Sequence, residues 1–387
     1  MKFVLIPDSF KGTLSSAQIC GIMESRIRKH FPDSTIVSVP VADGGEGTVD
    51  AFLAAVGGKK RFITVKNPYF EDIKAGYGLI EDGRTAVMEM AACAGLPLVE
   101  ERKNPLLTTT YGAGEMILDA AGQGVRKIIL GLGGSCTNDG GCGAAAAAGV
   151  KFFSKNGKEF IPTGGTVGEI ASIDLKSRWP GLAGIEIITM CDIENPMYGP
   201  NGASFIFGPQ KGADMETAAF LDQGIRHLSE AIKESLGQDL SQVPGSGAAG
   251  AMGAGMLAFF GARLQMGIDT VLDVTDFDRL IEDADYIFTG EGKLDGQSLG
   301  GKVVIGVARK ARTRNKPVIA VVGGAVDEEI ENVYKEGVSA VFSINRLPQD
   351  FSVSRSCSRE NLEATTDNIL RLIKLGQQNC LSANCRK

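Results

Sequence analysis

Apolar and polar positions alternate at the two ends of the chain in a way that predicts strands followed by helices. Short apolar runs typical of buried strands lie at 2–6, 35–39, 61–65, 286–289, 318–322 and 340–344. Between these runs, apolar residues recur every three to four positions, which predicts helices at 15–30, 48–56, 302–312, 328–336 and 359–375. Strands and helices in this regular succession predict a parallel sheet that is covered by helices on both faces.

The middle of the chain has a different pattern. Two apolar runs at 76–80 and 85–90 flank a polar turn and predict a hairpin. Further strands are predicted at 127–132 and 185–190, and further helices at 113–122, 143–149 and 215–236.

The change of pattern predicts two domains. Residues 1–66 and 284–375 are expected to form one doubly wound α/β domain, with a second α/β domain inserted at 67–283. Residues 376–387 are expected to form a flexible tail.

The composition narrows the class of protein. The 387 residues carry a formal net charge of −6, which gives no support for nucleic-acid binding through a basic face. The apolar run at 248–262 is too short and too rich in glycine to span a bilayer, and no signal-peptide pattern opens the chain. Eight cysteines without a CxxC pair, and only two histidines, argue against a zinc site. We expect a cytoplasmic protein with no nucleic-acid and no membrane partner.

Five short segments combine glycine with carboxylate, lysine or hydroxyl side chains. They are PDSFKGT at 7–13, DGGEGT at 43–48, GGSCTNDGG at 133–141, GPQKG at 208–212 and TGEGKLDG at 289–296. Glycine lets main-chain amides approach a ligand closely, and these amides together with lysines and carboxylates hold anions and metal ions. We therefore expect one composite site for anions and a metal ion.

Several of these side chains follow predicted strands, and ligands of open α/β sheets bind beyond the carboxyl ends of the strands. Asp8 and Lys11 follow strand 2–6 directly. Asp192 follows strand 185–190, where a carboxylate can ligate magnesium or accept a proton from a substrate hydroxyl.

Each of these positions also has a plainer interpretation. Ser15 or Thr13 is a good N-cap for helix 15–30, and Asn138 and Asp139 can cap the helix that follows them. Asp192 can simply open a turn before a proline.

Two glycine patterns are similar to cofactor motifs without meeting their requirements. GSGAAG at 245–250 fits GxGxxG, but it lacks a preceding strand and a correctly spaced acidic residue, which argues against a nicotinamide cofactor. GQSLGGK at 296–302 fits GxxxxGK, yet Val303 stands where a P-loop needs serine or threonine. Phosphate contact through these amides and Lys302 is still compatible with the sequence.

The segments together resemble those of the bacterial-type glycerate kinase family. The matching stretches, in order along nearly the whole chain, are PDSFKGT, ADGGEGT, GLGGSCTNDGG, CDIENP, GPQKG and TGEGKLDGQSLGGK. The resemblance implies ATP-dependent phosphorylation of D-glycerate, usually at the 2-hydroxyl, in glyoxylate, glycolate or sugar-acid breakdown. It also implies two α/β domains, one of them flavodoxin-like, with the active cleft between them. ATP and Mg²⁺ are the expected cofactors, and the choice between monomer and homodimer stays open.

The residue types suit phosphoryl transfer, which depends on charge neutralisation and alignment. The predicted catalytic residues are Asp192, as base or substrate-orienting group, Lys11 and Asp8. The predicted substrate-binding residues are Ser9, Gly134, Ser135, Thr137, Asn138 and Asp139. The predicted nucleotide- and phosphate-binding residues are Gly290, Glu291, Lys293, Asp295, Gly301 and Lys302. The predicted magnesium ligands are Asp43 and Glu46.

Two other classes of function compete with a kinase. A hydroxy-acid dehydrogenase would also use a parallel sheet with glycine loops, but the context of GSGAAG argues against it. A non-catalytic sensor of sugar acids would bind its ligand without turning over ATP, and the acidic net charge weakens that interpretation. The residues themselves do not distinguish phosphorylation at the 2-hydroxyl from phosphorylation at the 3-hydroxyl.

Overall fold

The computed structural model of the chain describes residues 1–42, 44–296, 298–345 and 350–384. The strands, in chain order, are β1 (Lys2–Pro7), β2 (Thr35–Ser38), β3 (Lys59–Lys66), β4 (Asp72–Ile80), β5 (Thr85–Glu89), β6 (Lys127–Gly131), β7 (Lys151–Ser154), β8 (Glu159–Phe160), β9 (Ile170–Asp174), β10 (Glu186–Met190), β11 (Arg263–Gln265), β12 (Tyr286–Gly290), β13 (Lys293–Leu294), β14 (Val318–Val322), β15 (Gly324–Ala325) and β16 (Ala340–Ser343). The α-helices, in the same order, are α1 (Ser16–His30), α2 (Thr48–Val56), α3 (Ala91–Ala94), α4 (Tyr111–Gly122), α5 (Cys142–Ala147), α6 (Ala203–Phe207), α7 (Met215–Leu236), α8 (Ala248–Phe260), α9 (Gly267–Val274), α10 (Phe277–Leu280), α11 (Val303–Arg312), α12 (Asp327–Lys335), α13 (Phe351–Ser354) and α14 (Ser358–Asn384). These elements form two compact units, Met1–Ala42 with Ile268–Lys387 (unit 1) and Asp43–Gly267 (unit 2).

Unit 1 is built on a five-stranded parallel sheet with the spatial order β2-β1-β12-β14-β16. When only the five strands of this sheet are counted along the chain, the order is 2-1-3-4-5, which is the order of flavodoxin-like sheets. Helices cross over between strands of this sheet, as α1 does between β1 and β2 and α11 does between β12 and β14. The predicted flavodoxin-like α/β fold is confirmed.

The elements of unit 1 follow from their apolar faces and caps. The strands carry fully buried side chains such as Phe3 and Phe288, and α1 packs Ile19 and Met23 into the same core. A capping box begins α1: the Ser15 side chain accepts a hydrogen bond from the Gln18 amide, and the Gln18 side chain accepts one from the Ser15 amide. The capping role predicted for Ser15 is therefore confirmed.

Unit 2 contains a mixed six-stranded sheet with the order β11-β10-β6-β5-β4-β3. The strands β5, β6, β10 and β11 are parallel, whereas β3, β4 and β5 pair in antiparallel fashion. A separate antiparallel sheet has the order β8-β7-β9. Small residues bring the neighbouring helices close together, because a Cβ atom on Gly114 of α4 would lie 2.2 Å from the carbonyl oxygen of Ala144 on α5.

The glycine-rich run at 248–262 forms the buried helix α8 and part of the turn after it. Its first turn is unusual because Ala249, Gly250 and Ala251 all have positive φ, at 54°, 67° and 67°. Left-handed backbone is strained for alanine, so the surrounding packing must impose it. No helix in the described ranges is long and apolar enough to cross a membrane.

The division into units differs from the predicted domain boundaries. Residues 43–66 fall in unit 2, because β3 pairs along its whole length with β4 instead of joining the sheet of β1. Residues 268–283 fall in unit 1, where Ile268 packs so closely on α11 that a Cβ atom on Gly306 would approach it to 2.8 Å. The predicted flexible tail is helical as far as Asn384, where α14 ends, and residues 385–387 lie outside the described residues.

Candidate active site

In unit 1 two loops meet at the point where the strand order reverses. The β1 loop (residues 8–15) follows β1, and the β12 loop (residues 291–302) follows the neighbouring strand β12. The amide of Asp8 donates a hydrogen bond to the carbonyl oxygen of Gly290 (2.8 Å). A Cβ atom on Gly292 would lie only 3.4 Å from the Lys11 amide nitrogen. Since ligands of doubly wound sheets bind at this reversal, the predicted residues of both loops lie where a ligand is expected.

The β1 loop is anchored by its apolar residues and presents its polar ones. Phe10 is buried, and its amide donates to the carbonyl oxygen of Leu14 (2.8 Å), which closes the loop. The Asp8 carboxylate accepts a hydrogen bond from the Ser9 amide (2.6 Å). Lys11 is exposed at the tip, and Ser9 is half-buried. The loop therefore offers a lysine and a hydroxyl beside a shallow surface pocket, which its residues 9–15 line.

A buried carboxyl group opens the β12 loop. Glu291 is only 6% exposed, and its Oε1 atom has no hydrogen-bond partner among the residues that the structure describes. Burial raises the pKa of Glu291 to about 7; the Ser298 hydroxyl and Lys302 oppose this rise, whereas the charges of Asp8 and Asp295 add to it. Buried groups with shifted pKa values and unsatisfied atoms are common at functional sites.

The rest of the β12 loop is suited to an anion. Lys293 is exposed and forms an ion pair with Asp295 (3.5 Å). Gly301 has a φ of +99°, which favours glycine, and Lys302 follows it as the N-cap residue of α11. The Lys302 side chain forms no capping hydrogen bond, so the first amides of α11 are not capped by it. Such a helix N-terminus attracts phosphate through its amides and dipole.

Main-chain pairing holds the β12 loop in place. The short strand β13 within the loop pairs with β15, which directly follows β14. The amide of Gly323 donates to the carbonyl oxygen of Glu291 (3.1 Å), and that of Gly324 donates to the carbonyl oxygen of Gly292 (3.2 Å). Residues 291–294 of the loop are thus tied by main-chain hydrogen bonds to the segment that follows β14.

In unit 2 the ends of several strands bring two of the glycine segments together. The β6 loop (residues 132–141) follows β6, and its Gly133 amide donates to the carbonyl oxygen of Gly44 (3.0 Å). A Cβ atom on Gly131 would lie 2.2 Å from that same oxygen, so only glycine permits the approach. Glu89, at the end of β5, accepts a hydrogen bond from the Val49 amide in the first turn of α2 (2.7 Å). A single glutamate at the end of a strand does not form a motif, so the contact made by Glu89 could not be predicted from the sequence.

The predicted substrate-binding residues of the β6 loop differ in exposure. Gly134 is exposed, with a φ of +74°, and Ser135 is 5% exposed. Thr137 and Asn138 are fully buried. The Asn138 side-chain amide donates to the Ser204 hydroxyl (3.2 Å), whereas Thr137 Oγ1 and Asn138 Oδ1 have no partner within the described ranges. Gly134 is therefore the exposed residue of this loop, whereas Ser135, Thr137 and Asn138 are buried.

Asp139 is fully buried, and hydrogen-bond donors of neighbouring residues surround its carboxylate. Its oxygens accept hydrogen bonds from the Thr110 amide (2.7 Å), the Thr110 hydroxyl (2.9 Å), the Gly141 amide (3.1 Å) and the Gly143 amide (3.2 Å). Burial raises the pKa of Asp139, and these hydrogen bonds oppose the rise. We infer that Asp139 holds the β6 loop to α4, and its predicted contact with substrate stays a prediction.

Asp192 lies at the end of β10, as predicted, and is half-buried. Its Oδ1 atom accepts a hydrogen bond from the Gly267 amide (2.6 Å), just beyond the neighbouring strand β11. A Cβ atom on Gly267 would lie 3.2 Å from the other carboxylate oxygen. The backbone thus fixes one side of the carboxylate, which is a suitable arrangement for a group that must be oriented toward a hydroxyl.

The GPQKG segment contains Lys211, for which no role was predicted from the sequence. Lys211 is 1% exposed, and its ammonium donates a hydrogen bond to the carbonyl oxygen of Thr137 in the β6 loop (2.6 Å). The only sequence feature that singles out Lys211 is its position in a short segment that begins and ends with glycine. Its burial, however, comes from tertiary packing and has no signature in the sequence.

The predicted magnesium ligands receive no test from the structure. Asp43 lies outside the described residues, and Glu46 is exposed. In the part of the chain that the structure describes, no group of three or more histidine, cysteine, aspartate or glutamate side chains is arranged to hold a metal ion.

The fold and the loops define an α/β protein whose two units each present glycine-rich, charged loops at the ends of parallel strands, as in enzymes that bind phosphorylated small molecules. Comparison with known proteins narrows this class. Residues 3–374 match the model of the glycerate kinase family, and the chain belongs to that family.

Several relatives match over almost their whole length. The chain is 44% identical to a glycerate kinase of Bacillus cereus over 98% of this chain and 99% of that protein. It is 43% identical to the glycerate 2-kinase of Escherichia coli over 98% of this chain and 100% of that protein. A crystal structure from Salmonella typhimurium LT2, assigned as glycerate kinase 2, is similar with a TM-score of 0.85 and 39% identity, covering 98% of this chain and 99% of that chain.

Proposed function

We propose that this protein transfers the terminal phosphoryl group of ATP to the 2-hydroxyl of D-glycerate, giving 2-phosphoglycerate and ADP. Membership of the glycerate kinase family supports the reaction class. The relative named glycerate 2-kinase supports the choice of the 2-hydroxyl. We further propose that the reaction serves glyoxylate, glycolate or sugar-acid breakdown in the cytoplasm.

The observation that carries the proposal is the meeting of the β1 and β12 loops where the strand order reverses. This position places Lys11, Glu291 and Lys302 around one end of the sheet, beside the N-terminus of α11. Phosphoryl transfer needs such a combination of cations and oriented amides, because its catalysis consists mainly of charge neutralisation and alignment.

The β12 loop is the proposed nucleotide side. The amides at the start of α11 and the ammonium of Lys302 are the groups proposed to bind ATP phosphates. Gly301, which precedes this helix, has a φ of +99°, a backbone conformation that favours glycine. Gly290, Glu291, Lys293 and Asp295 complete the proposed set.

The transfer itself is assigned to Asp192, Lys11 and Asp8. The oxygen of the 2-hydroxyl forms a bond to the terminal phosphorus of ATP, and the bond from that phosphorus to the bridging oxygen of ADP breaks. The hydroxyl proton passes to the Asp192 carboxylate, which acts as base. Lys11 stabilises the negative charge of the transferring group. The amides near Gly134, with Ser9 and Ser135, are proposed to bind glycerate.

Mg²⁺ is the metal proposed to accompany ATP, and when bound it neutralises charge on the phosphates. Carboxylate oxygens are the protein ligands that Mg²⁺ prefers, and kinases often use one or two of them together with the nucleotide. Asp43 and Glu46 have this chemistry, so the proposed site does not require a larger cluster of protein ligands.

Release of ADP tests the proposal. Purified protein with ATP and Mg²⁺ is expected to form ADP when D-glycerate is added, and much less ADP with L-glycerate or with no acceptor. ADP formation that is independent of D-glycerate would contradict the proposal. Oxidation of D-glycerate with a nicotinamide cofactor, measured by absorbance, would instead support the dehydrogenase alternative.

A further inference from the structure

Unit 2 encloses a lysine ammonium that the proposed reaction does not use. Lys211 is 1% exposed, at the end of a short turn of 3₁₀ helix (Pro209–Lys211). Burial lowers the pKa of Lys211 to about 8, and the neighbouring Cys136 and Asp139 oppose this shift. Burying a charge costs free energy, so a fully buried lysine needs a reason beyond packing.

The glycines beside Lys211 account for its placement. Gly212 has a φ of +98°, and a Cβ atom there would lie 2.8 Å from the carbonyl oxygen of Lys103. A Cβ atom on Gly208 would lie 2.2 Å from the carbonyl oxygen of Ser204. The GPQKG segment therefore fits its site only with glycine at both ends, and this fit carries Lys211 into the interior.

The ammonium of Lys211 contacts the β6 loop from one side. It donates a hydrogen bond to the carbonyl oxygen of Thr137 (2.6 Å). Next to this bond, Thr137 Oγ1 and Asn138 Oδ1 are buried oxygens that lack a partner within the described ranges. Of these three oxygens, the Thr137 carbonyl alone accepts a hydrogen bond within the described ranges, and its donor is the charged ammonium of Lys211.

The left-handed turn at the start of α8 contacts the β6 loop as well. Gly140 donates to the carbonyl oxygen of Gly250 (3.0 Å), and a Cβ atom on Gly250 would lie 2.1 Å from the carbonyl oxygen of Thr137. The same carbonyl therefore lies against both Lys211 and Gly250. Ala249 and Ala251, on either side of Gly250, have positive φ, a conformation that is strained for alanine.

We propose that Lys211 is a positioning residue, whose ammonium holds the β6 loop through the Thr137 carbonyl in the conformation that binds the carboxylate of D-glycerate. The inference rests on the proposed function, because it takes glycerate as the ligand of the loop. In this proposal Lys211 acts through Thr137, and Gly134, which is exposed in the same loop, makes the contact with the ligand.

The test combines kinetics with hydrogen–deuterium exchange on Lys211→Met, which keeps the length of the side chain but removes its charge and its donor. The KM for D-glycerate is expected to rise about tenfold or more, while the KM for ATP stays within about twofold. Amide exchange is expected to accelerate in residues 131–141 and to stay unchanged in the strands of unit 1. Lys211→Arg, which retains a charged donor, is expected to restore most of the affinity for glycerate.

Lys233→Met is the matched control, because Lys233 is an exposed lysine of the same unit, paired with Asp239 (2.8 Å). It is expected to change neither the KM nor the exchange pattern. A folded Lys211→Met with unchanged KM for D-glycerate and unchanged exchange at 131–141 would overturn the proposal.

Two further outcomes are separable. If Lys211→Met does not fold, Lys211→Gln replaces it. Failure of both to fold would overturn the proposal, since Lys211 would then support the whole unit rather than one loop. If the wild-type protein phosphorylates no glycerate, the proposed function fails, while the exchange measurement still decides whether Lys211 holds the loop.

Discussion

The buried carboxylate of Asp139 accepts a hydrogen bond from the main-chain amide of Thr110 at a distance of 2.7 Å. The bond joins the β6 loop to the residue that precedes α4, and the Thr110 hydroxyl adds a second bond to the same carboxylate oxygen (2.9 Å). The loop proposed to bind glycerate thus takes its conformation from residues far away in the chain. The conformation of the β6 loop therefore depends on the tertiary structure of unit 2.

Replacing Asp139 by asparagine is expected to destabilise unit 2. The new NH₂ group would face at least one of the N–H donors that the carboxylate now accepts, such as the Gly141 amide. A buried donor left without an acceptor costs about 1–3 kcal/mol, and denaturant unfolding of Asp139→Asn should show a loss of this size. Asp82→Asn is the control, because Asp82 is exposed with a φ of 56° that asparagine tolerates. Equal stability of both variants would contradict the role of Asp139.

Glu291 is expected to make stability fall as the pH rises. An ordinary glutamate ionises near pH 4.5, whereas the pKa of Glu291 in the folded protein is about 7. Between these values the folded protein binds more protons than the unfolded chain, so the free energy of unfolding decreases with increasing pH. The decrease due to this group amounts to about 3 kcal/mol and is complete above the folded pKa.

Glu291→Gln removes the titrating group, so its stability relative to wild type should increase between pH 4 and pH 8. Urea unfolding at several pH values measures the difference. Glu331→Gln, at an exposed glutamate of the same unit, should follow the wild type throughout. Parallel curves for wild type and Glu291→Gln would show that Glu291 ionises normally.

Removing the charge of Lys11 is expected to slow the reaction severely without unfolding the protein. Loss of one preorganised electrostatic donor typically removes about 2–4 kcal/mol of transition-state stabilisation, so kcat/KM of Lys11→Met should fall about thirtyfold to a thousandfold. Steady-state kinetics with D-glycerate measure this, with Lys29→Met as the control at an exposed lysine of the same unit. A decrease in kcat/KM of less than about threefold would show that Lys11 is only a structural residue of the turn.

Asp192→Asn tests the proposed base with little disturbance to the fold. Asparagine keeps an oxygen for the hydrogen bond from the Gly267 amide but no longer accepts a proton. Loss of a general base lowers kcat by about a hundredfold to ten-thousandfold. Glu194→Gln, at an exposed carboxylate two residues further on, should leave kcat unchanged. Wild-type turnover by a folded Asp192→Asn would show that the base is a different group.

The strongly periodic elements were predictable from the sequence. The helix α7 (Met215–Leu236) and the strand β14 (Val318–Val322) have the predicted bounds. In α7 the capping residue Asp214 and the left-handed Gly237 mark both ends, and in β14 a continuous apolar run matches a strand buried on both faces. The bounds of such elements are set by capping residues and apolar runs within the elements themselves, so they can be predicted from the sequence.

Features that depend on distant partners were not predictable. The run at 61–65 was predicted as a strand, but its sheet is decided by pairing with β4, which its own pattern does not encode. The short sheet of β7, β8 and β9 carries no strong alternation. The left-handed turn that includes Ala249 packs against Thr137 through Gly250, and alanine itself disfavours that conformation.

For the candidate site, the strand ends were predictable and the supporting contacts were not. Asp8 and Asp192 lie at the ends of β1 and β10, as a parallel sheet requires. Glu89 and Lys211 are buried by tertiary packing. The sequence does not predict this burial, because a single charged residue forms no periodic pattern.

Phosphorus NMR of the reaction products tests the central claim most directly. The wild-type protein with D-glycerate, ATP and Mg²⁺ is expected to yield the resonance of 2-phosphoglycerate together with ADP, and neither should form without enzyme or without D-glycerate. A 3-phosphoglycerate resonance would retain the kinase and contradict the assignment of the 2-hydroxyl. The absence of any phosphoglycerate from a folded sample supplied with magnesium would contradict the account as a whole.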